Sequence, residues 1–111
     1  MGNKNSYYEV IIEYDSGGKI SLGPFWKKAD ALDLICGPTF AKEAAYMSGF
    51  WIQRNKDPPN YFVISNTIWP QIIGKYFSYS EASYMKQKIK ENVGDAHIIE
   101  TRKRKKPIIK N

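Results

Sequence analysis

Few residues in this chain are of a type and spacing that could do chemistry. Cys36 and His97 are the sole cysteine and the sole histidine, so a thiolate–imidazole pair would have to join these two. Cys36 closes an apolar helical run, where a thiol behaves as a small inert hydrophobe. His97 alternates with Ile98 on an expected strand and reads as a surface or strand-edge residue rather than a base. Asp30 and Asp33 stand one helical turn apart, the spacing of a polar face rather than of a metal site, and zinc lacks ligands. Gly17-Gly18 lies between two strands and supplies a turn, not a phosphate-cradling loop. The expectation is a protein that binds and does not catalyse, with no metal and no cofactor.

The strongest binding signal is the run Arg102, Lys103, Arg104, Lys105, Lys106. The net charge is +6, from 17 Lys and Arg against 11 Asp and Glu. Five of the basic residues fall in this run, leaving 12 against 11 elsewhere, so the body is close to neutral and the basicity belongs to the tail. Such a run binds polyanions through counterion release, with little sequence preference. Lys86 and Lys90 lie one turn apart on the outer face of the last expected helix and would extend the patch. Trp26, Trp69, Tyr76 and Tyr79 are candidate stacking rings for bases. Nucleic acid, DNA or RNA, is therefore the first partner expected.

The same rings support a second reading. The chain holds three Trp, eight Tyr and five Phe, more than a core of this size hides comfortably, and surplus Trp and Tyr anchor protein interfaces. A near-neutral body with a sticky aromatic face suits a small adaptor or inhibitor of a larger protein, or a homodimer paired along sheet edges. The lone cysteine precludes an intrachain disulfide, and no apolar run approaches the roughly 20 residues that span a bilayer, so the default compartment is the cytoplasm. Met1-Gly2-Asn3-Lys4-Asn5-Ser6 fits the pattern for myristoylation of Gly2, and membrane contact would require that lipid.

The elements that must position these residues follow from periodicity. Residues 1–6 read as a flexible lead, 7–101 as a single α+β domain and 102–111 as a basic flexible tail. Tyr8, Val10, Ile12 and Tyr14 alternate with Glu9 and Glu13, which makes a half-buried strand. Asp15-Ser16-Gly17-Gly18 turns the chain into a second strand with Ile20 and Leu22 inward. A helix is expected from Lys27 to Cys36, broken by Gly37-Pro38, and a second from Phe40 to about Arg54 with Phe40, Ala44, Met47 and Trp51 on one stripe. Pro58-Pro59 marks a loop. Strands at 61–65 and 71–77, a helix from Tyr79 and a last strand at 96–101 complete the order β-β-α-α-β-β-α-β.

The last helix is the best specified. Ser78 and Glu81 have capping-box spacing, Phe77 and Ala82 can staple, Ala82, Met85, Ile89 and Val93 share a face, and Gly94 is a stop. GKYFSYSEASYMKQKI resembles the strand–turn–helix of several small modules, SPOR-type and AP2-type domains among them. That likeness covers under a fifth of the chain and brings no functional residue with it. Tyr8-x-Val10 with Gly23-x-Phe25 and Ala31 echoes Tyr61-x-Val63 with Gly74-x-x-Phe77 and Ala82, an imperfect ββα duplication. The expected architecture is one antiparallel sheet of about five strands with two or three helices on one face.

Overall fold

The hairpin forms as its turn residues dictate. In the computed structural model, which describes residues 5–101, strand β1 (Ser6–Tyr14) turns back into β2 (Lys19–Phe25). Tyr14 donates its N–H to the Gly18 carbonyl, and Gly17, at φ +102°, donates to the Tyr14 carbonyl, both at 2.8 Å. That backbone geometry is open to glycine at little cost. Helix α1 (Lys28–Ile35) follows and buries Ala31. Gly37 then caps a short α2 (Pro38–Glu43), and a 3-10 turn (Ala44–Tyr46) leads out of it. The Gly2 pattern and the basic run 102–106 lie outside the described residues.

The second expected helix, Phe40 to Arg54, is replaced by two different elements. Only its first turns coil; from Met47 to Lys56 the chain is a strand, β3. The helical stripe of Phe40, Ala44, Met47 and Trp51 is coincidental. Gly49 weakens a helix, Phe50, Trp51 and Ile52 favour a pleated surface, and β1 offers pairing from Ser6↔Lys56 through Tyr14↔Met47. Backbone pairing along the whole of β1 outweighs a local pattern.

The remaining elements match expectation within a residue or two: β4 (Tyr61–Asn66), β5 (Pro70–Tyr76), α3 (Tyr79–Asn92) and β6 (Ala96–Glu100). The fold class is α+β. One antiparallel sheet of six strands, one more than expected, runs β3-β1-β2-β5-β4-β6. The duplication is consequently ββαβ rather than ββα. Each repeat places its first strand between its second and its last, and the repeats meet at β2 and β5 through the single bridging pair Leu22↔Gln71.

The registers Leu22↔Gln71, Ser65↔Gln71 and Ser65↔Ala96 put these residues on one face of the sheet, the face that carries the helices. There the interior forms two clusters. Val10, Ile12, Leu22, Ala31 and Phe40 belong to the first repeat, and Val63, Ala82, Ile89 and Ala96 to the second. Trp69, from the second repeat, packs on Phe40 of the first with ring centroids 5.5 Å apart. The opposite face carries no helix, and there Tyr7, Phe62 and Ile64 are buried together, with Trp26, Ile72 and Ile99 packed around them. The crossover 57–60 joins the outer strand β3 to β4, and Asp57 donates its N–H to the Asn5 carbonyl at 3.0 Å.

Candidate nucleic-acid interface

The start of α3 forms a corner with the loop before β4 and the end of β6. Ser78 occupies the N-cap position with extended backbone, but its hydroxyl meets that of Ser80 at 2.9 Å instead of a helix N–H, so the expected capping box is unformed. The staple is unformed too: Phe77 is 72% exposed while Ala82 is buried. α3 is held by Ala82 and Ile89 against the sheet, and Gly94, at φ +150°, ends it by donating to the Ile89 carbonyl at 3.0 Å. Tyr79 stands edge-on to Tyr61, centroids 5.6 Å apart, and remains 57% exposed.

Asn60 ties the corner together. Its side-chain amide donates to the Phe77 carbonyl at 2.9 Å, and its own carbonyl accepts the Thr101 N–H at 3.0 Å. Thr101 also donates its hydroxyl to the Pro59 carbonyl at 2.5 Å. Arg102, the first residue of the basic run, follows Thr101 directly in the sequence. Thr101, the last described residue, thus stands at the corner that carries two exposed rings, Phe77 and Tyr79.

The other expected contact residues are spread over the molecule. Lys86 is half-buried and Lys90 exposed on α3, about 10 and 16 Å along the helix from Tyr79 at 1.5 Å per residue. Tyr84, exposed between them and the corner, carries the Lys88 ammonium 5.5 Å from its ring centre. Trp26 lies on the helix-free face, edge-on to Tyr7 and Phe62. Trp69 is packed on Phe40. Tyr76 lies in the second helix-face cluster with its ring folded over Gly74, where a Cβ would overlap it. Of the four expected rings, Tyr79 alone is exposed at the corner. Phe77 was assigned to the staple by its position before the cap, and the small partner Ala82 was the signal that it has little to pack on.

The helix-free face holds the principal buried charge. Glu9 is 3% exposed; one carboxylate oxygen accepts the Ser21 hydroxyl at 2.8 Å and the other pairs with the Lys75 ammonium at 2.5 Å. Lys75 also stands 5.4 Å from the centre of the Tyr7 ring. Burial holds the Tyr7 hydroxyl above its ordinary value, the Glu9 charge adding to this and Lys75 opposing it. Burial alone would lower Lys75, but its bonds to Glu9 and Tyr7 and the Glu9 charge outweigh that and raise it. The group is a satisfied structural pair linking the two repeats.

Cys36 is exposed at the end of α1, on the helix side, whereas His97 lies on the other face, paired across the strands with Ile64 and accepting from the Asn66 amide at 3.2 Å. The sheet separates them. Among the described residues no three His, Cys, Asp or Glu side chains come together as a metal site, and no helix is long and apolar enough to cross a membrane. Comparisons of the chain with protein-family models, with curated proteins and with solved structures return no match.

Proposed function

We propose that this protein is a non-catalytic binding module that contacts nucleic acid with its basic run 102–106 and the adjoining corner of Phe77 and Tyr79. The observation that carries the reading is the anchoring of Thr101 on Asn60, which also holds Phe77. Flat exposed rings beside a cationic segment are the two ingredients of sequence-tolerant single-strand binding: phosphates release counterions to the arm while bases stack on the rings. Lys86 and Lys90, one turn apart on α3, continue the cationic side along the helix. The exposed lone thiol of Cys36 suits a reducing, cytoplasmic setting.

Titration of fluorescent single-stranded DNA and RNA at several salt concentrations tests it. Full-length protein should bind with a steep salt dependence. Deletion of 102–111 should abolish binding, or lower the slope of log affinity against log salt by about four, one step of roughly 0.7–0.9 for each lost phosphate contact. Phe77→Ala with Tyr79→Ala should weaken binding while leaving the slope unchanged. Equal affinity with and without residues 102–111 would refute the reading. Protein recognition is the second reading, and the outer edge of β3 favours it.

A further inference from the structure

The two edges of the sheet are unequal. β6 is five residues long, whereas β3 has ten, pairs with β1 on one side and has no described strand on the other. Native edges are usually blunted by shortness, charge, proline or a bulge. β3 has none of these between Gly49 and Gln53, and its pairing with β1 runs without a break from Gly49 to Lys56. Phe50 and Trp51 project from opposite faces of this stretch and are 43% and 37% exposed. Lys19 stands over the Trp51 ring at 5.7 Å, and the indole N–H leans toward Gln53 at 3.4 Å, so the ring is held in place next to the edge.

We propose that β3 pairs antiparallel with β3 of a second copy of this chain, about a two-fold axis at Trp51, joining two six-stranded sheets into one. The strand is complementary to itself in that register. Trp51 meets Trp51 of the second copy on the helix-free face, and Phe50 meets Ile52 on the helix face, so the apolar residues gather at the axis. Going outward, Gly49 faces Gln53, Ser48 faces Arg54 and Met47 faces Asn55, while Lys56 falls beyond the end of the partner strand. Arg54 thereby sits across from a neutral side chain. An axis at Arg54 would instead set two guanidinium groups against each other. The strand carries no acidic residue that would call for a different partner register. This pairing is independent of the nucleic-acid reading, because β3 lies at the far edge of the sheet from β6, where the basic run is rooted.

Size-exclusion chromatography with light scattering, on protein free of nucleic acid, is the test. The full chain should run at twice the mass of one chain, and Trp51→Lys should weaken association at least tenfold with an unchanged circular dichroism spectrum. In a Cys36→Ser background, Trp51→Cys should form a covalent dimer on mild oxidation, since the register brings the position against itself. That second variant decides if the lysine variant does not fold. Three results would each overturn the proposal: a single-chain mass at the highest concentration reached, a dimer indifferent to Trp51→Lys, or a Trp51→Cys variant that stays uncrosslinked while dimers persist. So would a chain that stays monomeric until an extended acidic peptide occupies β3.

Discussion

Glu9 and Lys75 belong to different repeats, and their ion pair crosses the seam between β2 and β5 with Tyr7 alongside. Tyr7 and Lys75 both hold their protons more tightly in the folded chain than they do unfolded. A raised folded value adds stability below the unfolded value and loses it as pH climbs through the folded one. The unfolded references are 10.0 for tyrosine and 10.5 for lysine, so thermal stability should hold up to about pH 10 and fall above it. Melts from pH 8 to 11.5 would show this, with Lys75→Met flattening part of the decline; a melting temperature indifferent to pH above 10 would contradict it. The sequence showed Glu9 alternating with apolar residues, which read as a solvated side of the strand. That inference failed because β1 is flanked on both sides, and Trp26 and Lys75 cover its second face, a tertiary fact no local period contains.

Among the elements, α3 was legible and β3 was not, for one reason. Ala82, Met85 and Ile89 repeat at helical spacing and the Gly94 stop agrees with them, so local pattern and tertiary packing point the same way. Phe40, Ala44, Met47 and Trp51 also repeat at that spacing, yet only Phe40 ends in the core, and β1 claims Met47 and Trp51 for its partner strand. The corner at Phe77 was hidden similarly, since its hydrogen bonds run to Asn60, 17 residues away. The turn between β4 and β5 carries more than its turn signature suggested: Trp69 reaches over to Phe40 and joins the helix-side clusters. Trp69→Ala should therefore destabilise the protein by about 2–4 kcal/mol, near the range for truncating packed aromatics, as read by urea unfolding. A loss below about 1 kcal/mol would mean that the two clusters stand without that bridge.

At the scale of the molecule, two ββαβ repeats share a sheet but not a single helix-side core. Their union rests on the Leu22↔Gln71 pair, Trp69 on Phe40, and the apolar group around Tyr7 and Phe62. The crossover 57–60 runs from the outer strand β3 to β4, which lies four places away in the sheet order. It binds Asn5 near its start and Thr101 near its end. The two ends of the described chain are therefore tethered to the same strap, a few residues apart. The order of the repeats along the chain is then interchangeable: a circular permutant beginning at Tyr61, with residue 101 linked to residue 5 through a short Gly-Ser bridge and ending at Lys56, should fold to the same sheet. Matching near-ultraviolet circular dichroism and a cooperative melt would show that the architecture is indifferent to which repeat is synthesised first, and a non-cooperative melt would show that the strap itself must be covalent.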